Sequence, residues 1–176
     1  MRRVSLSGSE KTVGAIWDWY EVQSRLALAK KSQLLQEIRS SHRVSDPTFF
    51  GMTTEEIDDF FCELDLLTML DLLASAEAAI RVNFLNRVYR RLKDDVSRQF
   101  RTLYKANGNS IRLEDVLNVW KDLVPAIKNQ VGDFNGALLL RHWLAHGRYW
   151  TPKFGRDYYP GDVYDISLRL INAIST

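Results

Sequence analysis

The apolar residues of this chain recur at helical spacing along most of its length, which predicts an all-α protein. From Thr53 to Ala106 no Gly or Pro interrupts the pattern, and large apolar residues return every three or four positions. This interval is too long for one ordinary helix, so a bend near residues 73–76 is predicted. Thr53-Thr54-Glu55-Glu56 has the form of a capping box, in which the first Thr and the last Glu bond reciprocally to open the helix.

The pattern predicts further helices on both sides of this central region. The first covers residues 11–40, and a loop from Val44 to Met52 follows it. The candidate core residues of this first helix are Trp17, Tyr20, Ala27, Leu28, Leu35 and Ile38. We expect no strand, and helices that share one core predict an antiparallel bundle of about five to six helices. The sequence contains no internal repeat and no linker, so one domain over residues 1–176 is predicted.

Turn-forming residues divide the second half of the chain. Asn107–Ser110 predicts a turn, and Ser110 is expected to cap a short helix that runs to about Leu123. Val131–Asp133 predicts another turn because Gly132 lies at its centre. Residues 135–146 are then expected to be helical, and the last helix is predicted from Gly161-Asp162 to about residue 174.

Composition narrows the class of protein. Among 176 residues, 45% are hydrophobic and 26% are charged, as in ordinary globular domains. Cys62 is the one cysteine, so no intramolecular disulfide can form and a reducing compartment is expected. Residues 1–9 lack the apolar core of a signal peptide, and no apolar run approaches the length of a membrane span. We therefore expect a cytoplasmic protein that does not enter a membrane.

The charges are segregated, although their sum is only +2. Residues 51–80 carry eight acids and no Lys or Arg, whereas residues 81–105 carry eight bases and two acids. Residues 134–156 contain no acid. Such stretches are commonly solvated helix faces, and that interpretation is preferred for the acidic one. The basic stretches favour contact with phosphate groups.

The segment that carries candidate chemistry is Leu138–Trp150. An otherwise apolar helix contains Arg141, His142 and His146 there, and Gly147 is placed to end it. Arg holds phosphate through a planar, permanently charged fork, and His is the side chain best suited to move protons near neutral pH. The combination indicates a phosphate-directed site.

The spacing of the three residues places a condition on that site. His142 and His146 are four positions apart and share a helix face, whereas Arg141 and His146 are five apart and do not. Arg141 and His146 can converge where the helix ends near Gly147 or across a twofold axis between two copies of the chain.

Arg141-His142-Trp143-Leu144-Ala145-His146 resembles the signature of the HEPN superfamily of small all-helical proteins, many of which are metal-independent ribonucleases. The family motif has an Arg, then usually Asn, Asp or His, then a His four to six residues after the Arg. Arg141, His142 and His146 match it position by position. In detail the resemblance covers about residues 136–150, and the rest of the chain agrees in architecture alone.

The motif residues also have purely structural interpretations. His142 alone is typical of a core histidine bonded to a carbonyl, and His146 is typical of a cation at a helix end. Arg141 alone can pair with an acid such as Glu77. Glu77, in turn, can either orient Arg141 or His146 in a supporting role or pair with Arg81 one turn along its own helix.

Residues 148–159 combine aromatic and basic side chains. This composition suits single-stranded RNA, whose bases stack on rings while cations hold the phosphates. The predicted RNA-binding residues are Arg148, Tyr149, Lys153 and Arg156. Alternatively, the loop packs its own aromatics over the bundle, and both interpretations are compatible.

Other catalytic chemistries fit less well. His142 and His146 have the spacing of two zinc ligands, but Trp143 stands where zincins carry a Glu. His42 and Cys62 are the remaining His and thiol. No Gly-rich phosphate loop or Ser-His-Asp pattern is present, so no metal and no cofactor are expected.

The resemblance implies an endoribonuclease that acts as a homodimer with both motifs in one cleft. A ribose 2′-OH attacks the adjacent phosphorus, with His146 as base or acid, Arg141 stabilising charge and His142 assisting. The implied role is a toxin or phage-defence effector, with an antitoxin protein as a possible partner. The alternative is a non-catalytic HEPN-like module that binds RNA or a protein partner.

Overall fold

The fold is all-α, as the sequence predicts. The structure, a computed structural model, describes residues 4–41 and 43–175. Over these residues the chain forms six α-helices, joined by 3-10 turns and loops, and no strand. The helices are α1 Val13–Ser41, α2 Thr54–Arg90, α3 Asp95–Asn107, α4 Leu113–Leu123, α5 Lys128–Ala145 and α6 Pro160–Ser175.

Helix α2 is the centre of the bundle and contacts all five other helices. The chain does not divide into two helices at the bend predicted at residues 73–76, because α2 runs unbroken for 37 residues. Leu72, Leu73 and Ala76 are fully buried, and the small residues that follow favour helix. The capping box at the start of α2 is confirmed, with both reciprocal bonds between Thr53 and Glu56 present.

The break in the long apolar pattern comes after α2, at residues 91–94. Arg91 adopts a left-handed conformation (φ 53°) and donates its backbone N–H to the carbonyl of Val88. Asp94 then accepts the backbone N–H of Ser97 at 2.9 Å and caps α3. A local cap therefore ends the periodic run where neither Gly nor Pro marks it.

Two predicted helix starts in the second half are wrong. Ser110 ends a 3-10 turn and α4 begins three residues later, without a side-chain cap. The predicted turn at Val131–Asp133 lies inside α5. Gly at an interior helix position costs only about 1 kcal/mol relative to Ala, and full burial of Val131 and Phe134 on either side offsets it.

Helix α1 packs antiparallel on α2, and polar side chains of the two helices pair with each other. The Tyr20 hydroxyl donates to Asp65 at 2.7 Å, and Lys31 pairs with Asp58 at 2.9 Å. The predicted core register of α1 is partly wrong, because Leu28 is 65% exposed. The buried residues of α1 are Val13, Ile16 and Leu34.

The main core lies between α2, helices α3 to α6 and the start of α1, and a smaller cluster closes the far end of the α1–α2 pair. Helix α6 begins at Pro160, and Asp162 accepts the backbone N–H of Tyr159 there. None of the described helices combines the length and apolar character needed to cross a membrane.

Candidate functional site

Helix α5 ends where the sequence predicts, at Gly147. Gly147 and Arg148 both adopt left-handed conformations, with φ of 80° and 57°. The Arg148 backbone N–H bonds back to the carbonyl of Trp143 at 3.2 Å, which is the long bond of a Schellman motif. The motif residues therefore occupy the last two turns of a well-terminated helix.

The two motif imidazoles lie against each other on the exposed side of this helix end. The ring centroids of His142 and His146 are 4.3 Å apart, and both side chains are exposed. Trp150 lies 5.6 Å from His142, and Tyr149 lies 4.7 Å from Trp150. A continuous row of four rings thus leads from His146 to Tyr149, which is 83% exposed.

Arg141 turns away from the imidazoles and towards α2. Its Nη2 atom lies 3.2 Å from Oε2 of Glu77. The other oxygen of Glu77 accepts Nε of Arg81 at 2.9 Å, and Arg81 also reaches the carbonyl of Ile111 at 3.2 Å. Glu77 therefore makes both of the arginine contacts considered from the sequence, because each carboxylate oxygen holds one arginine.

The contact with Glu77 leaves part of the Arg141 guanidinium unused. Nε of Arg141 is buried and has no hydrogen-bond partner, although the side chain as a whole is 37% exposed. A buried cationic donor without an acceptor is costly. One copy of the chain thus presents a partly paired arginine and two solvent-facing imidazoles, in different directions from the same helix end.

The loop after the motif is packed by its own aromatic residues. The Trp143 indole donates to the carbonyl of Trp150 at 2.8 Å, and its ring lies 5.7 Å from Phe154. Phe154 contacts Tyr158, and burial raises the pKa of the Tyr158 phenol. A Cβ at Gly136 would lie 3.0 Å from the Tyr158 hydroxyl, so glycine allows this close approach to α5.

The four predicted RNA-binding residues differ in their contacts within the fold and in their exposure to solvent. Arg148 makes a two-pronged ion pair with Glu63, at 2.8 and 3.0 Å, and these bonds raise the pKa of its guanidinium. Arg156 lies over the ring of Tyr158 at 4.7 Å. Lys153 and Tyr149 are exposed. Sequence reasoning missed Glu63, whose place in the acidic stretch was the available signal.

Part of the basic stretch of residues 81–105 makes contacts within the fold. Arg87 pairs with Asp94 at 3.2 Å and lies 4.7 Å from the ring of Trp120. Arg98 pairs with Asp95. These contacts favour a structural role for Arg87 and Arg98, whereas Arg90, Arg91, Lys93 and Lys105 are exposed. Residues 141–156 are the candidate basic surface because they contain the motif.

His142 and His146 have the spacing of two metal ligands on one helix. Within residues 4–41 and 43–175, no three His, Cys, Asp or Glu side chains are grouped so that they could hold a metal ion. His42, the third histidine, lies outside the described residues.

No protein-family model matches the chain, and no curated protein or solved structure shows significant similarity to it.

Proposed function

We propose that this protein is a metal-independent endoribonuclease of the HEPN type. The observation that supports it best is the pair of exposed imidazoles, 4.3 Å apart, on the same helix end as an arginine held by a carboxylate. Proton transfer and phosphate stabilisation are the two tasks that RNA cleavage by the neighbouring hydroxyl requires. His142, His146 and Arg141 supply side chains for both tasks, without a metal or a cofactor.

The reaction uses the ribose 2′-OH as the nucleophile. His146 accepts the 2′-OH proton while the 2′ oxygen bonds to phosphorus, and Arg141 stabilises the negative charge of the phosphorane. The bond from phosphorus to the 5′ oxygen then breaks, and an imidazolium gives that oxygen its proton. The products are a 2′,3′-cyclic phosphate and a 5′-OH. His142 orients His146 or acts as the second proton carrier.

Arg141 and His146 point apart within one copy of the chain, but a homodimer would bring Arg141 of one copy close to His146 of the other. Leu139 lies three residues before His142 and seven before His146, so the three side chains share one helix face. Leu139 is 56% exposed, which gives this polar face an apolar centre for self-association. With a twofold axis near it, the imidazoles of one copy would face Arg141 of the other across a single cleft.

The loop after the motif would hold the RNA. Tyr149 and Trp150 extend the row of rings from the imidazoles, and bases of a single strand can stack on such rings. Arg148, Lys153 and Arg156 would contact phosphates. A cytoplasmic toxin or phage-defence effector, controlled by an antitoxin protein, is the biological role we propose.

A second candidate function is a non-catalytic module that binds RNA or a protein partner. The ion pair of Arg141 with Glu77 favours it, because it partly neutralises the cation that would stabilise the phosphorane.

The deciding experiment is cleavage of labelled single-stranded RNA by purified protein in excess EDTA. We expect products with cyclic-phosphate ends, and we expect His146→Ala to lose activity while still binding RNA. Activity that disappears in EDTA and returns with zinc or magnesium would contradict the metal-free mechanism. RNA binding without cleavage by the wild-type chain would favour the non-catalytic module.

The control variant is His42→Ala, which removes the histidine outside the motif. It should cleave like the wild type, whereas full activity of His146→Ala would contradict the assignment of the site. In cells, expression of the wild-type chain should arrest growth and His146→Ala should relieve the arrest. Sedimentation should give a dimer that Leu139→Asp weakens.

A further inference from the structure

An open apolar groove lies between α1 and α2, and Glu63, the partner of Arg148, is on its rim. Its volume is about 750 Å³. Leu26 from α1 and Phe60 and Leu67 from α2 lie along it with 62%, 52% and 56% of their surface exposed. Large apolar side chains exposed side by side are typical of a surface that binds another protein.

The α2 wall of this groove is acidic as well as apolar. Glu56, Asp59 and Glu63 line it together with Phe60 and Leu67, and these five positions fall on one face of the helix. Among the described residues that line the groove, none is a Lys or an Arg. The groove therefore combines an apolar floor with a negative rim.

The three rim carboxylates are not equally available. Glu56 accepts bonds from Thr53 in the capping box, and Glu63 holds Arg148. Asp59 is exposed and lies between them on the same face. Asp59 is thus the rim acid best placed to meet a cation, and Glu63 becomes a second one whenever Arg148 is removed.

We propose that this groove binds an amphipathic helix of a partner protein whose apolar stripe is flanked by Lys or Arg. The apolar stripe would cover Leu26, Phe60 and Leu67, and a flanking cation would pair with Asp59. The interval from Glu56 to Leu67 spans about 17 Å of helix, which matches about three turns of the partner. This inference does not depend on the proposed ribonuclease activity.

The probe for the test is a labelled synthetic helix of about 15 residues, with Leu at the apolar positions and Lys beside them. A matched peptide carries Glu in place of every Lys. Fluorescence anisotropy with the full chain should show at least about tenfold tighter binding of the Lys peptide, because opposite charges attract across the rim. Equal affinity for both peptides, or no binding of either, would overturn the proposal.

Variants of the chain locate the binding. Asp59→Lys and Leu67→Ser should each lower the affinity for the Lys peptide about fivefold. The first substitution removes a charge pair and the second removes an apolar contact. Asp122→Lys makes the same charge change at an exposed position of α4 and should leave affinity unchanged. Arg148→Ala should tighten binding about threefold, because it frees Glu63. If Asp59→Lys and Leu67→Ser bind like the wild type, the site is elsewhere and the proposal fails.

A second copy of the chain is the competing occupant, and sedimentation distinguishes it. All groove substitutions are at exposed positions, so circular dichroism should report unchanged helix content. The proposal predicts that Leu26→Asp abolishes peptide binding without changing the oligomeric state. Dissociation of a homodimer by Leu26→Asp would assign the groove to self-association and overturn the proposal.

Discussion

Two arginine–glutamate pairs connect the end of α5 to α2, and they differ in ways that the sequence does not show. Arg141 pairs with Glu77, and Arg148 pairs with Glu63. The two arginine side chains are equally exposed, at 37% each, but Glu77 is 17% exposed and Glu63 is 41% exposed. The carboxylates, and not the cations, thus distinguish an inner pair from an outer pair.

The geometry of the two pairs also differs. Glu63 gives both of its oxygens to Arg148, which occupies two donors of that guanidinium. Glu77 divides its oxygens between Arg81 and Arg141, so Arg141 receives only one. The inner arginine therefore meets its carboxylate through one nitrogen where the outer one uses two, although its carboxylate is better buried. Burial of a pair and availability of its arginine are separate properties.

The largest expected difference between the pairs is in catalysis. Arg141→Ala should reduce the rate of RNA cleavage about 10³-fold, the magnitude typical for loss of a donor to a developing oxyanion. Arg148→Ala should change that rate less than about tenfold, because it contributes to binding alone. Single-turnover cleavage at saturating protein measures both. Similar losses of cleavage rate in Arg141→Ala and Arg148→Ala would mean that the two pairs do not differ in their importance for catalysis.

A smaller difference is expected in stability. Glu77→Gln leaves two half-buried guanidiniums without a carboxylate and should cost about 2 kcal/mol, less than the 3–5 kcal/mol typical of a fully buried pair. Glu63→Gln removes an exposed pair and should cost at most about 0.5 kcal/mol. Urea denaturation followed by circular dichroism gives both values. If the second cost equals the first, exposure of the carboxylate does not decide the contribution of the pair.

The smallest expected effect is on RNA affinity. Glu63→Gln should strengthen binding about threefold at low salt, because Arg148 then becomes free to contact a phosphate. In an Arg148→Ala background the same change should have less effect, since no cation is released there. Binding titrations of the four proteins at two salt concentrations form the required cycle. An equal gain in both backgrounds would mean that Glu63 acts by repulsion from a distance.

Local signals in the sequence predicted the features that depend on neighbouring residues. The all-α fold, the capping box at Thr53 and the end of α5 at Gly147 each follow from a few adjacent positions. The pairing of Glu77 with Arg81 follows from their spacing of one helical turn. Its pairing with Arg141 is one of several options that the sequence leaves open.

The features that the sequence failed to predict depend on tertiary packing. Gly132 signals a turn locally, yet burial of Val131 and Phe134 keeps it helical. The register of α1 was ambiguous because its apolar residues exceed the stripe that α2 covers, and Leu28 is left outside. The bond between Arg148 and Glu63 joins residues 85 positions apart, and no periodic pattern marks such a pair.

Because α2 is unbroken, it fixes the distance and the relative direction of the two glutamates that hold Arg141 and Arg148. Glu63 and Glu77 are separated by 14 residues, which correspond to about 21 Å and to about 40° less than four full turns. Both carboxylates consequently point towards the same side of the bundle. Deleting one residue between them would rotate one carboxylate by about 100° relative to the other. Insertions and deletions that the surface loops can absorb would therefore be damaging in this interval, even at positions that touch neither arginine.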